Sequence, residues 1–399
     1  MIILFVAMSD SIHTARWISQ IADQGWDIYL FPSKDCGLVH PEMKNISVYH
    51  SFYGKREGVN RSIHFHGFPV FSKFGAFGAI RVLEEIWPDY RILQLKRIIA
   101  RVKPDIIHSM EIQAAGYLTL EAKKRFHGKF PPWIVTNWGS DIYLFGRLSE
   151  HEAKIREVLS ACDYYSCECQ RDVYLAEAYG FKGRIFPVFP NTGGFDVKFV
   201  TQLRHPGLVS ERRSIMLKGY QNWAGRALVG LRALERCADL LKGYEVVVYS
   251  APPEVLIAAE LFQKSTGIQT TIIPKETFHH EILRRFGRAR ISIGLSIGDA
   301  ISTSLLEAMV MGSFPIQSWT ACADEWIEDG KTGILVPPED PEVVELAIRR
   351  ALTDDDLVNQ AAERNYRIAE ERLDQSILKP KAVEIYTTVA KEKGIVYEN

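Results

Sequence analysis

Residues 290 to 312, RISIGLSIGDAISTSLLEAMVMG, leave few folds open. Arg290 to Leu295 reads as a short buried strand, because β-branched Ile291 and Ile293 alternate with small residues and Ser296 to Gly298 follows as a turn. A helix follows, with Ser302, Thr303 and Ser304 able to cap it and Leu305, Leu306, Met309 and Val310 at helical spacing. Gly312 ends it, and Pro315 lies shortly beyond. A buried strand feeding a helix belongs to an α/β domain with a parallel sheet. Met1 to Met8 starts a similar unit: an apolar strand, a helix with Ala15, Ile18, Ile21 and Ala22 inward, and a second strand over 27–31.

The expected strand-to-helix turn places Asp299 in the loop and Glu307 inside the helix. The first turn of such a helix offers unpaired backbone N–H groups and the positive end of a dipole, a common seat for phosphate. At roughly 1.5 Å per helical residue, the two carboxylates stand on the order of 10 Å apart along the axis, which leaves room for a diphosphate. One acid then reaches a sugar on one side of the phosphates and the other the ribose of a nucleoside. Taken alone, Glu307 reads as a surface or cap residue. A phosphate-loop reading of Gly330-Lys331-Thr332 fails, because Glu325 stands where glycine is needed and Ile334-Leu335-Val336-Pro337 cannot begin a helix.

What reverses the bland reading of Glu307 is an ordered run. Asp299 is followed by Glu307-Ala308-Met309, then Gly312, Phe314-Pro315-Ile316, Asp324-Glu325, Asp329-Gly330, Thr332-Gly333 and Val336-Pro337. This run resembles the nucleotide-sugar-binding signature of the retaining glycosyltransferases of family 4. The resemblance implies two Rossmann-like α/β domains facing a cleft, the GT-B fold. It departs at the first acid, where the family usually carries Glu and this chain Asp299.

A chain of 399 residues, 47% hydrophobic, is long enough for two cores, and a formal net charge of -1 argues against a nucleic-acid partner. The six cysteines show no metal-ligand or disulfide spacing, so no metal site is expected and a reducing cytoplasm is the simplest setting. The apolar start is too short to span a membrane.

In an open parallel sheet the loop after the first strand opens on the ligand crevice, which makes Asp10 and His13 candidates for contact with a ligand. The alternative is that Ser9 or Ser11 simply caps the helix. Ser9-Asp10-Ser11, His13 and Ala15-Arg16-Trp17 resemble the first loop of a family 4 subgroup. The strand through His108 ends in a polar loop, so His108 is a third cleft candidate. Trp133 to Thr136 leads into Asn137-Trp138-Gly139-Ser140-Asp141, which resembles a cleft-lining element of the family, with Trp138 where His is common. Asp141 is a candidate catalytic or acceptor-binding residue, or equally a helix cap. Residues 51–103 are less legible. Phe68 to Leu83 mixes apolar residues with Lys73 and Arg81, and 91–101 reads as a basic amphipathic helix. It suits either a membrane surface or an ordinary covering helix.

The polar stretch 201–213, with Pro206-Gly207, is the best linker. It divides the chain into an acceptor-side domain over 1–205 and a nucleotide-sugar domain over 206–375, with a helix over 376–399 returning to the first. The second domain opens with the strand Ser214 to Leu217, and strands at 245–249 and 270–273 follow. By resemblance, Lys218 and Arg226 in the loop after its first strand neutralise the donor diphosphate; a plain surface role is the alternative. Ser250 and Pro274-Lys275 should flank the nucleobase by their position in the sheet. Asp354-Asp355-Asp356 reads as a helix cap rather than a metal site.

The resemblance implies a retaining hexosyltransferase taking a nucleotide-diphosphate sugar as co-substrate, without metal or other cofactor. Asp299 and Asp141 are its catalytic candidates. Lys218, Arg226, Ser302, Thr303, Glu307, Ser250 and Pro274 bind the donor. The implied acceptor is a glycan or lipid-linked molecule of cell-surface polysaccharide synthesis. The implied setting is cytoplasmic, with peripheral contact at the inner face of the membrane through the N-terminal domain. Two rivals are a sugar-nucleotide 2-epimerase of the same fold and a nucleotide-sugar-binding protein that has lost catalysis.

Overall fold

The computed structural model describes residues 1–54, 61–191, 193–274 and 277–397, with the backbone alone at residue 73. The chain forms two compact units, Met1–Gly193 with Leu378–Asn399, and Gly194–Ile377. Each is a parallel sheet with helices on both faces, the doubly wound α/β class expected from the strand-helix alternation.

The N-terminal unit carries β1 (Ile2–Ala7), β2 (Asp27–Pro32), β3 (Ile46–Gly54), β4 (Ile63–Val70), β5 (Ile106–Met110), β6 (Trp133–Thr136), β7 (Tyr164–Ser166) and β8 (Arg184–Ile185). They lie in the order β4-β3-β2-β1-β5-β6-β7-β8. Alternate residues of β1 serve different cores: Ile3, Phe5 and Ala7 join one cluster, Leu4 and Val6 the other. A strand buried on both faces must be apolar throughout, which is why this one reads as a continuous hydrophobic run. Strand β4 is absent from the sequence reading of 51–103, because it is a half-exposed edge with His64, His66 and Pro69 in it.

The final helix, Gln375–Lys393, places Leu378, Ala382, Ile385, Tyr386 and Val389 in the same core as Phe5 and Trp17. A buried polar chain fixes it. Trp17 Nε1 donates to the Tyr386 hydroxyl at 2.7 Å, which lies 2.7 Å from His108 Nδ1, while His108 Nε2 lies 2.7 Å from Thr136 Oγ1. The expectation that His108 lines a cleft is therefore corrected. Strand β5 runs two residues past it, and the ring is wholly buried, its pKa pushed down to about 3 by that burial.

The second unit carries β9 (Ser214–Lys218), β10 (Glu245–Tyr249), β11 (Gln269–Ile273), β12 (Ala289–Gly294), β13 (Phe314–Ser318) and β14 (Ile334–Val336), in the order β11-β10-β9-β12-β13-β14. Again the strands feed two cores: Ile215 and Leu217 one, Met216 the other. Residues 194–205, expected with the first unit, belong to this one. Phe195 bridges Asp374, and Val197 and Val200 pack in the core with Met309 and Val310. The polar stretch 201–213 is accordingly no linker but a surface segment holding a short helical turn, Val209–Glu211. At the start of helix Asp355–Arg372, Asp354 accepts from Leu357 N at 2.9 Å, the capping role expected of the acidic triplet.

Candidate functional site

In the second unit, β9 and β12 are neighbours from which the chain winds in opposite directions, toward β10 and β11 on one side and β13 and β14 on the other. Loops leaving the carboxyl ends of two such strands part and leave a crevice, the usual ligand site of an open α/β sheet. Here the two loops are tied together. Gly225 bridges Ser296, Arg226 N donates to Leu295 O at 3.0 Å, and Ile297 N donates to Ala224 O at 3.3 Å. Position 225 needs glycine, because a Cβ there would sit 2.7 Å from Tyr220 O.

Lys218, the last residue of β9, projects into this crevice. Its ammonium donates to Ser302 Oγ at 3.0 Å, Asp299 Oδ2 at 3.2 Å and Ser296 Oγ at 3.3 Å, and lies 4.2 Å from the Tyr220 ring centre. The residue is only 9% exposed, which decides against a surface role. Burial is the largest single influence and would lower its pKa, but Asp299, Tyr220 and Glu307 together outweigh it and hold the ammonium above the ordinary lysine value. The crevice therefore keeps a permanent cation whose partners are one carboxylate and two neutral hydroxyls.

The helix Thr303–Met311 begins beside that cation. Ser302 occupies the capping position, yet its hydroxyl bonds no helix N–H; it accepts from Lys218 and shares a 2.7 Å hydrogen bond with Ser304. The first-turn amides are thus uncapped by the residue placed to cap them, and the dipole's positive end adds to the lysine charge. Leu305, Leu306, Met309 and Val310 hold the helix in the core, and Gly312 closes it in the left-handed region at φ 81°.

Glu307, on the same helix, is buried and lies 2.6 Å from Nε2 of His279, the first residue of helix His279–Arg288. Sequence reasoning missed His279; its one signal is a His279-His280 pair just beyond the loop that follows β11. It also missed Tyr249, at the end of β10. Burial and the adjoining Glu307 carboxylate push that phenol well above its ordinary pKa. Ser250 follows at φ 55°, an uncommon conformation for a residue with a side chain, and Pro274 is exposed at the end of β11. Lys275 lies outside the described residues. Arg226 does not join the Lys218 cluster. Its guanidinium bonds the carbonyls of Asn222 and Gly225 and sits 3.3 Å from Glu339, so much of its charge is already answered.

The N-terminal unit has its own reversal point, between β1 and β5. Asp10 is exposed in the loop after β1, and Ser11 caps the helix Ile12–Ser19 by accepting from His13 N at 3.2 Å. The half-buried His13 ring lies 5.4 Å from Trp138. Asp141 is buried, with Oδ1 accepting from Trp138 N at 2.9 Å and Oδ2 from Ile112 N at 3.0 Å. It clamps the loop after β6 to the loop after β5, a positioning role rather than the exposed acceptor contact expected of it. Burial, followed by the like charge of Glu111, pushes its carboxyl up to about 7. Glu111, also missed, follows β5 directly at φ 83° and accepts from Ala114 N and from Ala115 N at 2.6 Å. Such backbone strain in a bulky residue collects at functional sites.

Comparison with known proteins adds two family matches. Residues 2–164 match the family Glycosyl transferase 4-like, and residues 259–368 match Glycosyl transferases group 1. No curated protein matches. Among solved structures, a sucrose-phosphate synthase from Thermosynechococcus elongatus is similar at TM-score 0.70 and 15% identity, over 98% of this chain and 100% of that one. Anabaena HepE in complex with UDP-glucose is similar at TM-score 0.67 and 13% identity, over 97% of this chain and 100% of that one. An α,α-trehalose 6-phosphate synthase from Burkholderia multivorans gives TM-score 0.68 and 12% identity, over 98% and 99%.

Proposed function

The chain belongs to the group 1 glycosyltransferases of the GT-B fold, and we propose that it moves a hexosyl residue from a nucleotide-diphosphate sugar to a glycan or lipid-linked acceptor with retention at the anomeric carbon. The observation that carries this reading is the Lys218 ammonium held beside the uncapped start of helix Thr303–Met311, with Glu307 further along the same helix. A leaving diphosphate gathers negative charge as the glycosidic bond breaks. Fixed donors that already point at that charge lower the barrier without reorganising. Phosphate oxygens would take over the Lys218 contacts now made by Asp299, Ser296 and Ser302. That exchange releases Asp299, which then orients the sugar and supports its oxocarbenium-like state. Glu307, steadied by His279, accepts from the ribose hydroxyls, and the loops at Ser250 and Pro274 flank the base. The N-terminal unit, through Asp10 and His13, meets the acceptor. The reaction is placed in the cytoplasm, with a lipid-linked acceptor met at the inner face of a membrane through that unit. Among the described residues no helix is long and apolar enough to cross a membrane.

Calorimetry with a panel of nucleotide-diphosphate sugars tests the donor site. One of them binds the native protein, and Glu307→Ala weakens that binding by about 10- to 100-fold, the scale of a lost charged hydrogen bond. Unchanged affinity in the variant would remove Glu307 from the site. Turnover with acceptor extracts, with product configuration read by NMR, should show transfer with retention. Conversion of the donor without any acceptor would instead indicate a 2-epimerase, and binding without turnover a lapsed enzyme.

A further inference from the structure

The crevice beside Lys218 uses the carboxyl ends of the second unit's strands. At the amino ends of the same strands, a groove of about 660 Å³ runs between the segment 201–212 and the helix Asp355–Arg372, with Gly312 in its floor. Two arginines line it. Arg212 stands just before β9, and its Nη1 donates to the carbonyls of Ala289 at 3.2 Å and Met311 at 3.3 Å. Arg204 donates to the Val310 carbonyl, from Nε at 2.8 Å and also from Nη2. Both side chains thus meet the negative end of the helix Thr303–Met311, which accounts for part of their placement.

A carbonyl dipole does not balance a full charge. Four cations are buried among the described residues, and three of them have a carboxylate. Arg91 has Asp35 at 3.4 Å, Lys218 has Asp299 at 3.2 Å, and Arg290 has Asp355 at 2.7 Å. Arg212, 7% exposed, has no carboxylate within ion-pair distance among the described residues. Burial, followed by the like charge of Arg204, pulls its pKa down to about 10, which still leaves it a cation at neutral pH. Arg204 has no carboxylate at that distance either; its guanidinium lies 4.8 Å from the Tyr366 ring centre and feels Glu370 only at longer range. Buried charge without a counter-charge is costly, so such groups are ordinarily paired. Donors also remain to be used. Arg212 Nε is buried without a hydrogen-bond partner, and Arg212 Nη2 and Arg204 Nη1 make no hydrogen bond among the described residues. Two guanidinium forks with spare N–H groups on one groove suit the oxygens of a single phosphate.

The opposite wall restricts what that phosphate can carry. The helix Asp355–Arg372 turns Glu363 and Glu370 to the groove, with Arg367 between them. Carboxylates repel a second anionic group and accept from hydroxyls, so a di- or triphosphate is disfavoured and a hydroxylated body is favoured. The groove is larger than a lone phosphate ion needs and has the size of a small-molecule site.

We propose that this groove binds a small phosphate monoester, with its phosphate between Arg204 and Arg212 and its hydroxyls toward Glu363 and Glu370. The site is separate from the donor crevice and does not rest on the transferase reading.

The test is calorimetric titration of the full chain with glycerol 3-phosphate, with inorganic phosphate, and with chloride at matched ionic strength. Glycerol 3-phosphate is expected to bind saturably and more tightly than inorganic phosphate, and chloride not to bind. Arg212→Gln and Arg204→Gln should each weaken binding by about tenfold or more, the scale of a lost charged hydrogen bond, while Lys218→Met leaves it unchanged. Arg204→Gln keeps the test open should Arg212→Gln fail to fold. Absence of binding to the native protein would overturn the proposal, as would affinity that survives both arginine variants or is lost with Lys218. Equal affinity for the two phosphates would overturn the assignment of a hydroxylated ligand.

Discussion

The two sheets reverse their winding in the same way, and the polar groups at the two reversal points are spent in opposite ways. At the β9/β12 point a buried cation, Lys218, gives its hydrogen bonds to the side chains of Asp299, Ser296 and Ser302, and the first amides of the neighbouring helix are left without a side-chain cap. At the β1/β5 point the buried groups are acids, and their hydrogen bonds go to main-chain amides. Side-chain partners can be exchanged for a ligand without disturbing the backbone, whereas amide partners cannot. The first arrangement is what the proposed donor site needs, and the second is a brace. The same strand topology thus presents exchangeable polar groups in one unit and a scaffold for loop placement in the other.

The sharpest way to break this contrast is to remove the cation. Lys218→Met is expected to lower kcat/KM by about 100- to 1,000-fold, the scale of a lost donor to developing charge. It should cost little stability, because Asp299 keeps 29% of its side chain in solvent. Steady-state kinetics and a thermal melt check both halves, and near-native turnover would dissolve the distinction between the two sites.

The brace is tested by pH. The Asp141 carboxyl, at about 7 in the folded unit against an ordinary 3.8, binds a proton that the unfolded chain has already released across that window. Its contribution to stability is therefore greatest below about pH 4, falls as pH rises to about 7, and is flat above that, with a span of a few kcal/mol. Asp141→Asn should flatten that part of the profile in denaturant melts at several pH values. It should also lower stability at low pH, since an amide nitrogen cannot accept from both main-chain donors. An unaltered slope would show that the group is not the one titrating.

The smallest effect is expected from Arg226→Ala. With its guanidinium on Asn222 O, Gly225 O and Glu339, the variant should change kcat/KM by no more than about threefold, as for a partly exposed ion pair. A loss as large as that at Lys218 would bring Arg226 back into the donor site.

Much of this was legible beforehand where one local signal sufficed. The strand and helix around 290–312 appear within a residue of expectation, because β-branched alternation, a serine-rich start and a terminal glycine all point to the same element. Position within a strand was harder. His108 read as the last residue of its strand, at the mouth of a polar loop, because nothing local distinguishes a buried histidine inside a strand from one at its end, and its partners Thr136 and Tyr386 lie 28 and 278 residues away. The edge strand β4 escaped notice for the opposite reason: its Ile63-His64-Phe65-His66 alternation is short and runs into Gly67 and Pro69, which read as breakers.

From sequence alone came the fold class and the helix that starts beside Asp299, since hydrophobic period and capping chemistry act over a few residues and do not wait for the rest of the chain. Tertiary structure alone decided which polar residues are available. Whether a carboxylate faces a crevice or a backbone amide, as Asp299 and Asp141 do respectively, depends on loops brought together from distant strands, and no local pattern encodes that meeting.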